Sequence, residues 1–363
     1  MKKLSVCVLF GGRSPEHEVS LRSAESVLNN MDPEKYNIFP VGITKSGNWM
    51  LYGSRDYSKL PTGEWEHCPE NRQAAISPIR GQGLLNFEGD CVVRERIDVV
   101  FPVLHGENGE DGTIQGLFEL ARIPYVGCGV LGSAVCMDKA VANTIMDAAG
   151  VPHCKWASAI RAELEGDHKA LLDSIEQRLG YPIFVKPANA GSSVGITKAT
   201  DRAVLEQAVV TALKEDDKVV FEEFIDGQEV ECAAIGNPDD PATVSTTRPG
   251  EILAGAEFYT YDDKYKNGVS QTVIPAHLSE EKLDEVRTEA RRAYLALGCA
   301  GLSRCDFFVE RGTGRVLCNE LNTLPGFTSI SMYPKLMEHE GLSYAQLVDR
   351  LLQLALHRRK GAY

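Results

Sequence analysis

The chain has 363 residues, 43% of them apolar and 25% charged, the balance of a globular protein of two or three domains. Its 51 Asp and Glu against 38 Lys and Arg leave a formal charge of −13, which excludes broad electrostatic binding to nucleic acid or an anionic membrane. No apolar run approaches the ~20 residues that span a bilayer. The ten cysteines include no C-x-x-C pair and read as reduced core thiols of a cytoplasmic protein.

The opening Met1-Lys2-Lys3 and the apolar run 4–10 superficially match a signal peptide. The run is short, however, and enters Gly11-Gly12-Arg13, so it reads as a first buried strand. A helix over 15–29, a strand over 97–104 and a helix over 113–121 follow, an alternation that predicts a parallel sheet with helices on its faces. The stretch 53–89 reads as peripheral. One long helix is predicted from 132 to 149, stopped by Gly150-Val151-Pro152. Next come an extended segment (154–160), a helix (168–179), a strand (182–187), a loop of small residues (188–195), a short strand and a helix (201–214). Strands over 219–223 and 229–235 join at Asp226-Gly227. A polar, Tyr-rich loop (257–271) precedes a helix (279–297), a hairpin of strands 302–310 and 316–322, and a terminal helix (343–358). The basic residues that close this last helix suit its C-terminus and need no nucleic acid.

Two motifs mislead. Residues 127–132 match G-x-G-x-x-G, with Asp147 twenty residues beyond the first glycine. Asp147 falls in a helical run, though, and no βαβ unit closes around it, which disfavours a nicotinamide site. Residues 191–195 match G-x-S-x-G, but a strand rather than a helix follows, so a serine hydrolase is disfavoured. As a small-residue hairpin after Lys186-Pro187, the same loop suits polyphosphate: its backbone N–H groups can approach closely while the lysine supplies charge.

Further signals support a nucleotide. Glu222 ends a strand, apolar Phe224 and Ile225 beside it suit an adenine, and Glu229 suits a ribose. Glu320 and Asn322, two apart on a strand, face the same side, and Asp306 on the partner strand projects towards them. Two carboxylates and an amide suit Mg²⁺ bridging phosphates.

Together with residues 12–20, 105–113, 137–139, 186–195, 304–306 and 320–331, these features make the chain resemble the D-alanine–D-alanine ligases of the ATP-grasp superfamily over nearly its whole length. The resemblance implies an N-terminal Rossmann-like α/β domain (1–125) and an ATP-grasp fold built from a central (126–215) and a C-terminal (216–363) α+β subdomain. It implies phosphorylation of one D-alanine by ATP and attack of a second D-alanine's amine on the acyl phosphate, for peptidoglycan precursor synthesis. Glu16 would hold the first ammonium from the first turn of a helix, with Ser192 and Tyr265 as its partners. Lys139 and Lys186 would contact ATP phosphates and Lys264 the transferred phosphate. Arg304 and the backbone N–H of Gly326 would receive the oxyanion, Ser331 the second carboxylate, and His105 would stand near the first. Glu222, Ile225 and Glu229 would bind the nucleoside, and Asp306, Glu320 and Asn322 would hold Mg²⁺ or Mn²⁺, two ions in all. A monovalent cation and a homodimer are further implications. The pair Lys264-Tyr265 follows the dipeptide-forming pattern, and Phe327 and Ile330 are expected to vary without consequence. Another ATP-grasp carboxylate–amine ligase, a nucleotide-binding regulator and a nicotinamide enzyme remain as competing readings.

Overall fold

The structure, a computed structural model, describes residues 3–191, 194–253 and 271–358. Three sheets follow one another along the chain. The first contains β1 (Leu4–Gly11), β2 (Tyr36–Ile43), β3 (Trp49–Leu51), β4 (Arg72–Ile76), β5 (Leu84–Glu88), β6 (Cys91–Glu95) and β7 (Val99–Val103), in the order β6-β5-β4-β3-β2-β1-β7. Strand β1, next to the edge strand β7, runs parallel to both β2 and β7. Helix α1 (His17–Asn29) leads from β1 to β2, and α2 (Thr113–Ala121) follows β7. Strand β2 was not predicted, because Pro40 and Gly42 argue locally against a strand. Here the lack of a side chain at Gly42 is what admits the fully buried Trp65: a Cβ on Gly42 would stand 2.2 Å from its ring.

The second unit begins with α3 (Val130–Met137) and α4 (Lys139–Ala149), where one continuous helix was predicted. Asp138 divides them. Its backbone is extended, and its carboxylate accepts from the N–H groups of Ala140 and Val141, both at 3.1 Å, so an acid that reads as a helix interior is an N-cap. Strands β8 (Trp156–Ile160), β9 (Ile183–Pro187), β10 (Thr197–Ala199) and β11 (Lys218–Glu223) form a sheet ordered β10-β9-β11-β8, backed by α5 (Arg161–Leu164), α6 (Lys169–Leu179) and α7 (Arg202–Ala212). Because β11 pairs with β8 and β9, this sheet runs past the expected boundary at 215.

The third sheet contains β12 (Gly227–Gly236), β13 (Ser245–Thr246), β14 (Gly250–Leu253), β15 (Gln271–Val273), β16 (Gly301–Glu310) and β17 (Val316–Asn322), in the order β15-β14-β12-β16-β17 with β13 on β12. Helices α8 (Glu280–Ala296), α9 (Met332–His339) and α10 (Tyr344–His357) complete it. The strands on either side of Asp226-Gly227, β11 and β12, therefore belong to different sheets. Among the described residues no helix is long and apolar enough to cross a membrane.

The cores do not follow the three sheets. Val8, Phe10 and Phe101 of the first sheet share one apolar cluster with Leu302, Phe327, Tyr333 and Leu351 of the third unit. The second sheet has a core of its own, built on Ile183, Val185, Phe221, Leu172 and Leu205.

Candidate active site

A cleft of about 1070 Å³ is lined by all three units. Loops from the carboxyl edge of the first sheet, where open parallel sheets place their ligands, contribute Glu16, His105 and Glu110 to it. Glu16 follows β1 and sits just before α1, not in its first turn; its carbonyl accepts from the N–H groups of Val19 and Ser20. Its carboxylate packs against two glycines. A Cβ on Gly106 would lie 2.6 Å, and one on Gly191 3.2 Å, from Glu16 Oε2. The small-residue loop of the second unit thus meets Glu16 directly.

His105 follows β7 and is buried. Its Nδ1 lies 2.9 Å from the carbonyl of Leu324 and its Nε2 3.1 Å from Ser23 Oγ, which also accepts from the N–H of Phe327. Burial holds the imidazole below its ordinary range, outweighing the pull of Glu16, and Arg304 adds to the depression. A neutral ring with its proton on Nδ1 fits these contacts. Glu110, which was not predicted as a site residue, joins the same two loops: its carboxylate accepts from Gly106 N–H (2.8 Å) and Leu324 N–H (3.1 Å). Burial, and then the Glu16 charge, push it up to about 8.

One long wall belongs to the second unit. Lys139, the first residue of α4, is held by its Nζ to the carbonyl of Ala190 at 2.7 Å. Lys186 on β9 pairs with Glu222 on β11 at 2.5 Å, with 12% and 7% of the side chains exposed. Burial works against this ammonium, but Glu222, with Cys154 and Glu320, outweighs it and holds the lysine above its usual range. Beyond β11, Phe224, buried Ile225 and exposed Glu229 line the cleft as the chain crosses to the third sheet.

The other wall is the hairpin of β16 and β17. Burial alternates along β16, so Arg304 and Asp306 share its cleft-side face. A bulge after Asp306 leaves Asp306 opposite Glu320 and Arg304 opposite Asn322. Arg304 grips Asp306 with Nε and Nη2, both at 2.7 Å, and Asn322 Nδ2 donates to Asp306 at 3.0 Å. Arg304 Nε also lies 3.1 Å from Glu231 Oε2. Glu231 was missed in the sequence; its signal is its position two residues after Glu229 on β12, on the same face. Among the described residues no three His, Cys, Asp or Glu donors converge on a point. The donor set nevertheless fits a hard divalent cation, since Asp306, Glu320 and the amide of Asn322 are oxygen ligands on adjacent strands.

Most predicted site residues meet here, and Gly326 also lines the cleft. Ser331 does not: it precedes α9, and its hydroxyl is bound to Thr328 Oγ1 at 2.8 Å and Thr328 N–H at 3.0 Å. Ser192, Lys264 and Tyr265 lie outside the described residues. Phe327 corrects its prediction. It is fully buried between Phe101, Tyr333 and Tyr344, with ring centroids 5.5–6.0 Å away, whereas Ile330 is exposed. The G-x-G-x-x-G glycines serve packing. A Cβ on Gly132 would meet the carbonyl of Gly298 at 2.6 Å, and one on Gly301 would meet the backbone nitrogen of Gly127 at 2.9 Å.

This architecture is that of the ATP-grasp ligases, and solved structures with it are close in shape. One is VanG D-Ala:D-Ser ligase from Enterococcus faecalis, with a TM-score of 0.87 and 40% identity, covering 98% of this chain and all of that one. Another is the D-alanine–D-alanine ligase from Coxiella burnetii, with a TM-score of 0.83 and 34% identity over 98% of this chain and 94% of that one. The D-alanine–D-alanine ligase of Acetivibrio thermocellus is 49% identical over 98% of this chain and 96% of its own length. The "D-ala D-ala ligase N-terminus" family matches residues 5–128 and the "D-ala D-ala ligase C-terminus" family residues 145–353. The chain belongs to the D-alanine–D-alanine ligase family.

Proposed function

We propose that this chain uses ATP to join two D-alanine molecules into D-alanyl-D-alanine, a peptidoglycan precursor. The observation that carries this reading is the meeting of Glu16 with a lysine-bearing wall and an Arg304–Asp306 wall in one cleft. A carboxylate oxygen of the first D-alanine attacks the γ-phosphorus, and the bond from phosphorus to the ADP oxygen breaks. The second D-alanine's nitrogen then attacks the acyl carbon of the D-alanyl phosphate. Phosphate leaves with its bridging oxygen, and the nitrogen gives up a proton.

Glu16 holds the first ammonium in place. Lys139 and Lys186 oppose the phosphate charge, and Lys264 reaches the group in transfer. The adenine lies by Glu222 and Ile225, and the ribose by Glu229. Mg²⁺ or Mn²⁺, two ions, held by Asp306, Glu320 and Asn322, would shield the phosphate oxygens. Arg304 and the N–H of Gly326 face the charge that develops on the acyl oxygen. Neutral His105 stands by the first carboxylate as a dipole rather than a base. Ser331 receives the second carboxylate once its hydroxyl leaves Thr328. Ser192 and Tyr265 close over Glu16 and keep water from the acyl phosphate. A homodimer in the cytoplasm and a bound monovalent cation complete the reading. Phosphate release from ATP on adding D-alanine, but not L-alanine, is the expected result; no release with D-alanine refutes it.

A further inference from the structure

Three carboxylates stand at one level across the third sheet. Glu231 faces Asp306 across β12 and β16, and Asp306 faces Glu320 across β16 and β17. Like charges at directly opposed positions repel, more so when half-buried. Arg304 lies two residues along the middle strand and answers two of the three. It takes both oxygens of Asp306 and reaches Glu231 with the same Nε. All three side chains are well shielded, Glu231 at 8% exposure and Arg304 and Asp306 at 14%.

The arrangement contains a conflict. The two Asp306 oxygens that Arg304 holds are those that a divalent cation would use. A guanidinium on both oxygens and Asn322 Nδ2 on Oδ2 leave little of this carboxylate open, so a cation binding both oxygens competes with Arg304 and loosens its two-point hold. Left without a second anion, the guanidinium would either resist that loosening or drift from the cleft.

We propose that Glu231 is a positioning residue: it retains Arg304 over the cleft when Asp306 turns to the divalent cation. This rests on the ligase reading, with Asp306 as a metal ligand. Glu231 lies on β12, apart from the hairpin that carries the proposed metal ligands, so it can keep its partner while Asp306 changes its own. The metal and the arginine then act at the site together instead of competing for one carboxylate.

The test is a Mn²⁺ titration of the full chain with ADP, followed by the electron paramagnetic resonance of free Mn²⁺. Glu231→Gln is expected to weaken Mn²⁺ about tenfold in the parent, because Arg304 then clings to Asp306. In an Arg304→Met background, with no guanidinium to compete, the same change should cost less than about twofold. Equal weakening in both backgrounds means simple loss of a nearby negative charge and overturns the proposal, as does no weakening in the parent. Glu231→Asp keeps the charge with a shorter reach. It is expected to lose about two- to threefold in the parent and nothing measurable in the Arg304→Met background. That pair also carries the test if the glutamine variant does not fold, and equal losses in the two backgrounds again overturn it. Asp306→Asn separates the two failures. Unchanged Mn²⁺ affinity there removes Asp306 from the metal site and overturns the underlying assignment as well. Weakened affinity there, with background-independent Glu231 effects, overturns this proposal alone.

Discussion

The second and third sheets line opposite walls of one cleft and treat charge in opposite ways. On the second, Lys186 is matched by one buried glutamate and Lys139 adds a further cation to the same cleft, so the wall is left positive. On the third, the carboxylates of Glu231, Asp306 and Glu320 outnumber the guanidinium of Arg304, which leaves that wall negative. A polyanion carrying its own divalent cation complements both walls at once; either species alone complements one. The walls also differ in what holds them. The second sheet has a separate core, whereas the third is fused to the first through Phe327.

Four changes would break or sharpen this contrast. Asp306→Ala strikes the negative wall and should lower kcat by about 10³-fold or more while the fold persists, which steady-state kinetics and circular dichroism together report. Retained turnover would leave the wall without a metal role. Phe327→Ala removes the aromatic that joins the first and third units and should lower stability by about 4 kcal/mol, read from urea midpoints. Hydrogen exchange should show both sheets weakened and the second sheet spared. Lys186→Met leaves Glu222 buried without its cation and should lower stability by about 3 kcal/mol, with faster exchange confined to β9 and β11. Adding Glu222→Leu should recover most of that loss, whereas no recovery would mean the pair is not what holds the sheet.

The smallest effect is a pH slope at the seam between the first and third units. Glu110 is raised from about 4.5 to about 8, so between those values the folded chain binds a proton that the unfolded chain has lost. Its stabilising share is complete below about pH 4.5 and is lost as pH rises through about 8, at up to about 1.4 kcal/mol per pH unit. Glu110→Gln should flatten urea midpoints measured from pH 5 to 8; identical slopes would remove Glu110 as their source.

Much of the third sheet was legible because its strands alternate cleanly. The hairpin predicted over 302–310 and 316–322 is observed within one residue. Its acids could be aligned from spacing alone, while the partner that Arg304 finds on β12 could not. Pairing between β12 and β16 joins positions 65 to 83 residues apart, which no local pattern encodes. The division of α3 from α4 was hidden because Asp138 fits a helical period as readily as a cap. Burial of Phe327 was hidden for another reason: its neighbours Phe101, Tyr333 and Tyr344 converge only when two units share a core. Glycine patterns misled in the opposite sense, since close backbone packing and close ligand approach ask for the same residue.

The loop 323–327 draws its polar partners from the other end of the chain. Leu324 N–H goes to Glu110, its carbonyl to His105, and the N–H of Phe327 to Ser23. A fragment spanning the ATP-grasp sheets alone would leave those three backbone groups unanswered, at about 1–3 kcal/mol each where they stay buried. Such a piece would keep its lysines and its acidic hairpin yet lose the shape of the loop that bears Gly326. Expressed as separate polypeptides, the halves of this enzyme should therefore recover activity only by reassembling, and the seam at Leu324 sets how tightly they must do so.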